Sequence, residues 1–444
     1  MSGNALPLIH NSSLTPLLRC EYQLEDLRAL RSFLDHAGTF CFDALGTGLY
    51  SASAASGATA ESSGYKHAWV RDNVYIAYGL RVDGQVEAAK AAVLALARYF
   101  LMHQQRFLEV IASPSVGADK MLRPHVRFDA ETLGELTEEW EHAQNDALGY
   151  FLWIFCLMIR RGDCELAPDH DHLLNFMTQY FAAIQYWHDE DSGHWEEDRK
   201  VSASSIGVVV SGLRELQELL RSPTGSRLSR LIQPARVEWL VTQGRRTLAK
   251  ILPAESLPSH GRSGRRHDAA LLFLVEPLRL VEGASALQIV RDIREQLQGD
   301  HGIRRYKGDS YWGANYRSHL TADQRTASLN SVRKLRESLS HDGLEAQWCI
   351  FDPLLSAFYG RMYLRSGSGE HLAQQIMYLN RSLGQLTGED CGFPSLRCPE
   401  LYFLEQGRYV PNDHTPLLWT QANLLVALNA MEDSLRSGRS EGEA

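Results

Sequence analysis

Leu173-Leu174-Asn175-Phe176-Met177-Thr178-Gln179-Tyr180-Phe181-Ala182-Ala183-Ile184-Gln185-Tyr186-Trp187 runs within a few residues into Gly193-His194-Trp195-Glu196-Glu197-Asp198-Arg199. In the first stretch Leu173, Phe176, Met177, Tyr180, Phe181, Ile184 and Trp187 recur at steps of three and four, which puts them on one face of an α-helix. The second stretch breaks that period and gathers a tryptophan and two glutamates in a loop. An amphipathic helix followed by a loop of chemically active residues recurs along the chain.

Outward from this point the helical spacing persists. Leu148, Phe151, Phe155 and Met158 share one face, as do Ile206, Val209, Leu213, Leu216 and Leu220. The stretch from Val86 to Met102 is rich in alanine, which favours helix intrinsically. Thr415-Pro416 reads as a helix start, a hydroxyl cap followed by proline where a missing N–H costs nothing, with Leu418, Ala422, Leu425 and Leu428 as the buried face. About twelve helices are expected, over 23–38, 73–82, 85–107, 144–161, 170–187, 202–221, 235–252, 267–275, 285–298, 345–365, 369–386 and 415–432, with a thirteenth over 324–339. No run alternates as a strand should, although short extended pieces are expected near 123–128. The class is all-α. No linker divides the chain, so one domain is expected over 1–435, with 436–444 as a disordered tail and 51–64 as a small polar loop.

Composition sets outer bounds. The chain has 444 residues and a formal net charge of -9, which argues against a general nucleic-acid binder. Seven cysteines occur without CxxC spacing, so neither a disulfide framework nor a zinc site is expected. The N-terminus lacks a basic stretch followed by an apolar one, and no segment is apolar over the length that spans a bilayer. A cytoplasmic protein without membrane contact is the default expectation.

The long connections, near 39–71, 105–144, 189–201, 300–321 and 387–414, are rich in Trp, Tyr, Asp, Glu and Arg. Long loops in a compact domain are usually functional. Flat rings beside hydroxyl-binding polar groups suit a sugar site. Tyr65 to Asn73 contains Trp69, Arg71 and Asp72 ahead of a helix; Asp72 there is either a hydroxyl acceptor held by Arg71 or a plain helix cap. Trp140, Gln144 and Asp146 enter the next helix, either as a sugar-stacking ring with two hydrogen-bonding partners or as a capped helix start. In Trp195-Glu196-Glu197 an adjacent aromatic and a neighbouring carboxylate would both raise a carboxyl pKa, as a general acid requires; an acidic solvated loop is the plainer alternative. Arg305, Tyr306 and Asp309 form a substrate contact or an Arg–Asp tether. Glu400 follows Pro399 just before the last helix, with Glu405 as its rival.

Taken in order, these motifs resemble the glucoamylase family of glycoside hydrolases, family fifteen, over about residues 22–431. The resemblance is carried by Trp-x-Arg-Asp at 69–72, Trp-x-x-x-Gln-x-Asp at 140–146, Trp-Glu-Glu at 195–197, Arg-Tyr at 305–306 and Pro-Glu at 399–400. Details at 67–75, 202–207, 399–402 and 416–419 are similar to the branch of phosphorylase kinase regulatory subunits. The resemblance implies an (α/α)6 barrel of six inner and six outer helices and hydrolysis with inversion. It makes Glu196 the acid and Glu400 the base. Tyr65, Arg71, Asp72, Trp195 and Arg305 would line the subsite of the non-reducing glucose, Trp140, Gln144, Asp146 and Glu197 would surround the acid and the next sugar, and Trp69, Tyr306 and Asp309 would also bind substrate. An oligosaccharide substrate and no metal or organic cofactor are expected. Without a starch-binding module, raw starch is not the expected substrate, and short soluble α-glucans are. A non-hydrolytic regulatory module that binds glucan or protein, and a hydrolase of another disaccharide such as trehalose, are the alternatives. The basic residues Lys120, Arg123, His125 and Arg127 have no counterpart in this scheme; they either narrow or extend the substrate site or balance the acidic segment 129–139.

Overall fold

The computed structural model describes residues 7–53, 65–259, 263–325, 335, 338 and 343–442. Its main helices are α1 (Leu24–His36), α2 (Val70–Val82), α3 (Val86–Met102), α4 (Gln104–Ala112), α5 (Asn145–Arg161), α6 (Pro168–Ala183), α7 (Ala203–Arg221), α8 (Pro234–Ile251), α9 (Leu272–Val275), α10 (Gly283–Gln296), α11 (Asp352–Ser366), α12 (Gly369–Gly384) and α13 (Leu418–Gly442).

Burial separates these helices into two sets. In α5 almost every residue from Asn145 to Ile159 is buried, and α2 is buried over most of its length. A helix buried on all sides belongs inside a layer of others. In α8 and α10 only a stripe is buried, Val237, Leu240, Val241, Leu248 and Ile251 in the first and Ala286, Ile289, Val290 and Ile293 in the second. The buried helices close a ring: α2 packs on α5, α5 on α7, α7 on α9, α9 on α11, α11 on α13, and α13 back on α2. The striped helices α1, α3, α6, α8, α10 and α12 alternate with them along the chain and form the outer layer. This is the (α/α)6 barrel. Glycines let the inner helices approach: a Cβ on Gly149 of α5 would lie 2.8 Å from the Val209 nitrogen of α7, and one on Gly79 of α2 would lie 2.8 Å from Ala422 of α13. The inner position of α9 is a single turn, because Pro277 follows closely and the residue before proline disfavours helix.

Several elements differ from the sequence reading. The segment 85–107 divides at His103 into α3 and α4. The helix expected from 345 starts only at Asp352, because Pro353 is compatible with a first turn but not with a helix interior. Residues 347–348 instead form a strand. Thr415 is not a helix cap: its hydroxyl donates to the Asn412 carbonyl at 3.0 Å, and α13 begins at Leu418. At the other end α13 runs to Gly442, through most of the expected tail. The loop 54–64 and most of the helix expected over 324–339 lie outside the described residues.

The region 387–414, expected as a loop, contains an antiparallel hairpin. Strands β1 (Ala68–Trp69) and β2 (Arg127–Phe128) pair with each other, while β3 (Gln347–Trp348), β4 (Leu401–Glu405) and β5 (Arg408–Pro411) form a three-stranded sheet. Glu405 pairs with Arg408 across Gln406-Gly407, and both turn residues have positive φ, the backbone a two-residue hairpin turn requires.

Candidate active site

One cavity of about 350 Å³ opens among the loops, walled by residues from distant parts of the chain. Glu196, Glu197, Glu400, Tyr65, Trp69, Arg71, Asp72, Trp140, Trp195, Arg305, Tyr306 and Asp309 all line it. Gln144 and Asp146 do not.

Glu196 reaches the wall through a local backbone device. Gly193–Trp195 makes one 3-10 turn after α6, and Glu196 follows it in the left-handed region at φ 56°. That conformation is uncommon for a residue with a side chain. The turn is closed by the Glu196 N–H on the Gly193 carbonyl at 3.3 Å and the Glu197 N–H on the Ser192 carbonyl at 3.2 Å. Glu196 Oε1 accepts from Trp69 Nε1 at 3.0 Å, and Arg71 Nη2 lies 3.5 Å away. Burial raises its pKa above the ordinary carboxylate value, against the lowering effects of Arg71, Gln144, Arg127 and Trp69. The expected role for Glu197 in raising it is corrected. Glu197 is matched by Arg265 at 3.0 Å, by the Tyr306 hydroxyl, and at longer range by Arg305 and Lys200. These partners outweigh its burial and hold its pKa below the ordinary range.

Glu400 is delivered by the hairpin. Pairing of Trp348 with Leu401 and the Cys349 N–H on the Glu400 carbonyl at 2.9 Å fix the backbone at the base of β4. Its Oε1 accepts from the Tyr65 hydroxyl at 2.9 Å, and its Oε2 accepts from Asn412 Nδ2. Burial pushes the carboxyl up to about 8, although these two donors favour the ionised form. Glu405, the rival, is at the far end of β4 and accepts from the Ser318 hydroxyl at 2.7 Å, away from the cavity wall.

Two residues expected to touch sugar do something else. Gln144 and Asp146 are buried behind the wall and grip Arg71 Nη1 at 3.1 and 2.6 Å. These bonds orient Arg71, whose Nη2 also donates to the His194 carbonyl at 2.9 Å, while Gln144 Nε2 donates to the Glu141 carbonyl at 2.6 Å. Two bonds of 2.6 Å tether Arg305 and Asp309 to each other, and both lie on the wall. The guanidinium of Arg305 sits 5.1 Å from the rings of Trp195 and Trp348 and 4.9 Å from Tyr311. Asp72 is held up at about 7 by burial and by Glu196, against Arg71.

The sequence reading passed over Arg265, Asp268, Tyr311, Trp348 and Asn412. Arg265 sits 3.4 Å over the Tyr306 ring and bridges Glu197 to Asp268, which in turn accepts from Trp195 Nε1 at 2.9 Å. The one sequence signal was Arg265-Arg266-His267-Asp268 directly ahead of the apolar run 269–275. Tyr311 hydrogen-bonds Tyr65 at 3.0 Å, and the Tyr65 ring stacks on His414 at 3.5 Å. Among the described residues no group of three or more His, Cys, Asp or Glu side chains is arranged to hold a metal ion.

The family described as Glycosyl hydrolases family 15 matches residues 34–442. The chain belongs to that family. It is 26% identical over 402 residues to a probable phosphorylase b kinase regulatory subunit alpha of Caenorhabditis elegans, covering 81% of this chain and 30% of that protein. It is 25% identical over 411 residues to the skeletal muscle isoform of that subunit from Oryctolagus cuniculus, covering 84% and 31%. The chain therefore spans about a third of the length of these relatives. A solved structure of a wild-type glycosidase superposes with a TM-score of 0.64 at 17% identity, covering 93% of this chain and 99% of that one. A glucoamylase from Saccharomycopsis fibuligera does so with 0.59 at 14%, covering 94% and 99%. At such identities the likeness is one of fold, the glucoamylase-type barrel. No helix among the described residues is long and apolar enough to cross a membrane.

Proposed function

We propose that this family 15 chain is an inverting glycoside hydrolase that releases glucose from the non-reducing end of short soluble α-glucans. The observation that carries the reading is the pair Glu196 and Glu400, both on the wall of one cavity, with burial raising the pKa of Glu196 as a general acid requires. In the proposed reaction the Glu196 carboxyl gives its proton to the glycosidic oxygen as the bond to the anomeric carbon breaks. A water molecule attacks that carbon from the opposite face, and the Glu400 carboxylate takes the proton the water loses. Tyr65 and Asn412 donate to Glu400 and favour its ionised form. Glu197 and Asp309, each fixed by arginine, supply acceptors for glucose hydroxyls, and the indoles of Trp140 and Trp69 supply apolar faces.

The second reading is a regulatory module that binds glucan or protein without hydrolysing it. It is favoured by the names of the relatives, which are regulatory subunits. A retained acid and base in one cavity weigh for the hydrolase. Glucose release from a panel of α-linked disaccharides and oligosaccharides separates the two. The hydrolase reading expects turnover, and a loss of about 10²–10⁴-fold in Glu196→Gln and in Glu400→Gln with the fold intact. Binding without turnover across the panel selects the regulatory reading.

A further inference from the structure

The basic segment without a role in the sequence scheme resolves into separate partnerships. Lys120 is paired with Glu139 at 2.8 Å and Glu141 at 2.6 Å, Arg123 is bidentate on Asp189, and His125 stacks on His142 at 3.7 Å. Arg127 is different. It is 4% exposed, and its buried Nε has no hydrogen-bond partner. Its Nη1 reaches Glu138 at 3.1 Å, but Glu138 is itself 65% exposed. An exposed ion pair contributes too little to offset the burial of a guanidinium.

What surrounds the Arg127 guanidinium is the back of the cavity wall. It lies 4.2 Å from the Trp140 ring and 5.2 Å from the Trp69 ring, and the two indoles meet edge to face at 6.0 Å. The contact is built into the backbone, because Arg127 of β2 is the register partner of Trp69 of β1. The strand pair is pinned by the Val70 N–H on the Val126 carbonyl at 3.0 Å and by Phe128 stacked on Tyr99 at 3.6 Å. Both indoles face the cavity, and Trp69 Nε1 is the donor on Glu196.

We propose that Arg127 is a positioning residue that clamps Trp69 and Trp140 from behind and so holds the Trp69 N–H on Glu196. The proposal rests on the acid role given to Glu196. The cation adds a second effect of the same sign. Glu196 is faced by Arg71 and Asp72 of α2, Trp69 of β1, Arg127 of β2 and Gln144 at the start of α5, and of these only Asp72 favours its protonated form. Loss of Arg127 removes a positive charge and loosens a donor, so both effects push the Glu196 midpoint upward.

The test is a carboxyl ¹³C titration of glutamate-labelled protein, with the Glu196 signal identified by its loss in Glu196→Gln. Arg127→Met is expected to raise the midpoint by about half a pH unit or more. Arg127→Lys, which keeps the charge but not the flat face, is expected to raise it by less than Arg127→Met does. Trp69→Phe is expected to shift it in the same direction, and the Arg127→Met/Trp69→Phe pair to shift it by less than the sum, because one acts through the other. An unchanged midpoint in folded Arg127→Met, or strict additivity in the double variant, overturns the clamp. If Arg127→Met does not fold, Arg127→Lys carries the test on the same titration: a midpoint still raised above wild type supports the clamp, since a lysine keeps the charge but lacks the flat face that seats two indoles, and a wild-type midpoint overturns it. The titration needs no turnover, so its outcome is separate from whether the wild-type chain hydrolyses glucans.

Discussion

Glu196 and Glu400 are set up by different means, and this shapes how the site should respond to pH. Glu196 is swung inward by a left-handed turn, a conformation that costs about 1–3 kcal/mol and that the surrounding bonds must hold. Glu400 is fixed at the base of a paired strand and is the more deeply buried. The proposed reaction needs Glu400 ionised and Glu196 protonated. Burial raises both midpoints above the ordinary carboxylate range, that of Glu400 to about 8. The profile of kcat/KM against pH is therefore expected to be bell-shaped with its optimum near neutrality or above. Asn412→Ala removes a donor to the Glu400 carboxylate and so raises that midpoint further. It should move the optimum upward and lower kcat/KM at pH 6. An optimum that stays fixed or moves to lower pH in this variant contradicts the assignment of Glu400. Sequence could name Glu196 and Glu400 because their motifs are local. It could not reveal Arg265, whose partner Glu197 is 68 residues away, nor that Gln144 and Asp146 hold Arg71, since which group an amide or carboxylate faces depends on tertiary packing.

At the scale of elements, the inner helices were legible because burial writes a long apolar period into α5, α7 and α13. The hairpin was not. Leu401 to Leu404 carries no inside–outside alternation, because three successive residues are buried where the sheet lies against the barrel. Its better signal was Gly407 between two aromatic and aliphatic runs. The position of α9 as an inner helix was equally hidden, since a single turn has no period to detect. The contact between α5 and α7 gives the sharpest test of the inner ring. Gly149→Ala puts a methyl group against backbone of α7 and must separate the helices, for a loss of about 1–3 kcal/mol. Denaturant unfolding should show a clear drop in midpoint for Gly149→Ala and none for Gly46→Ala, where a Cβ meets nothing within 4 Å. Equal midpoints for the two would mean that α5 and α7 do not pack through Gly149.

For the whole molecule, the barrel gathers the ends of its helices around one cavity, so residues from 52 to 419 meet on one wall. That convergence explains why motifs spread over most of the chain read as one site in sequence, while the order of inner and outer helices came from family likeness and not from helix count. The central claim is that Glu196 and Glu400 together invert the anomeric centre. The most direct measurement is a proton NMR time course of the wild-type chain on a short maltooligosaccharide, reading the anomer of glucose before mutarotation. The account predicts β-glucose as the first product, absent in Glu196→Gln. α-Glucose as the first product, or β-glucose released undiminished by the variant, would contradict it.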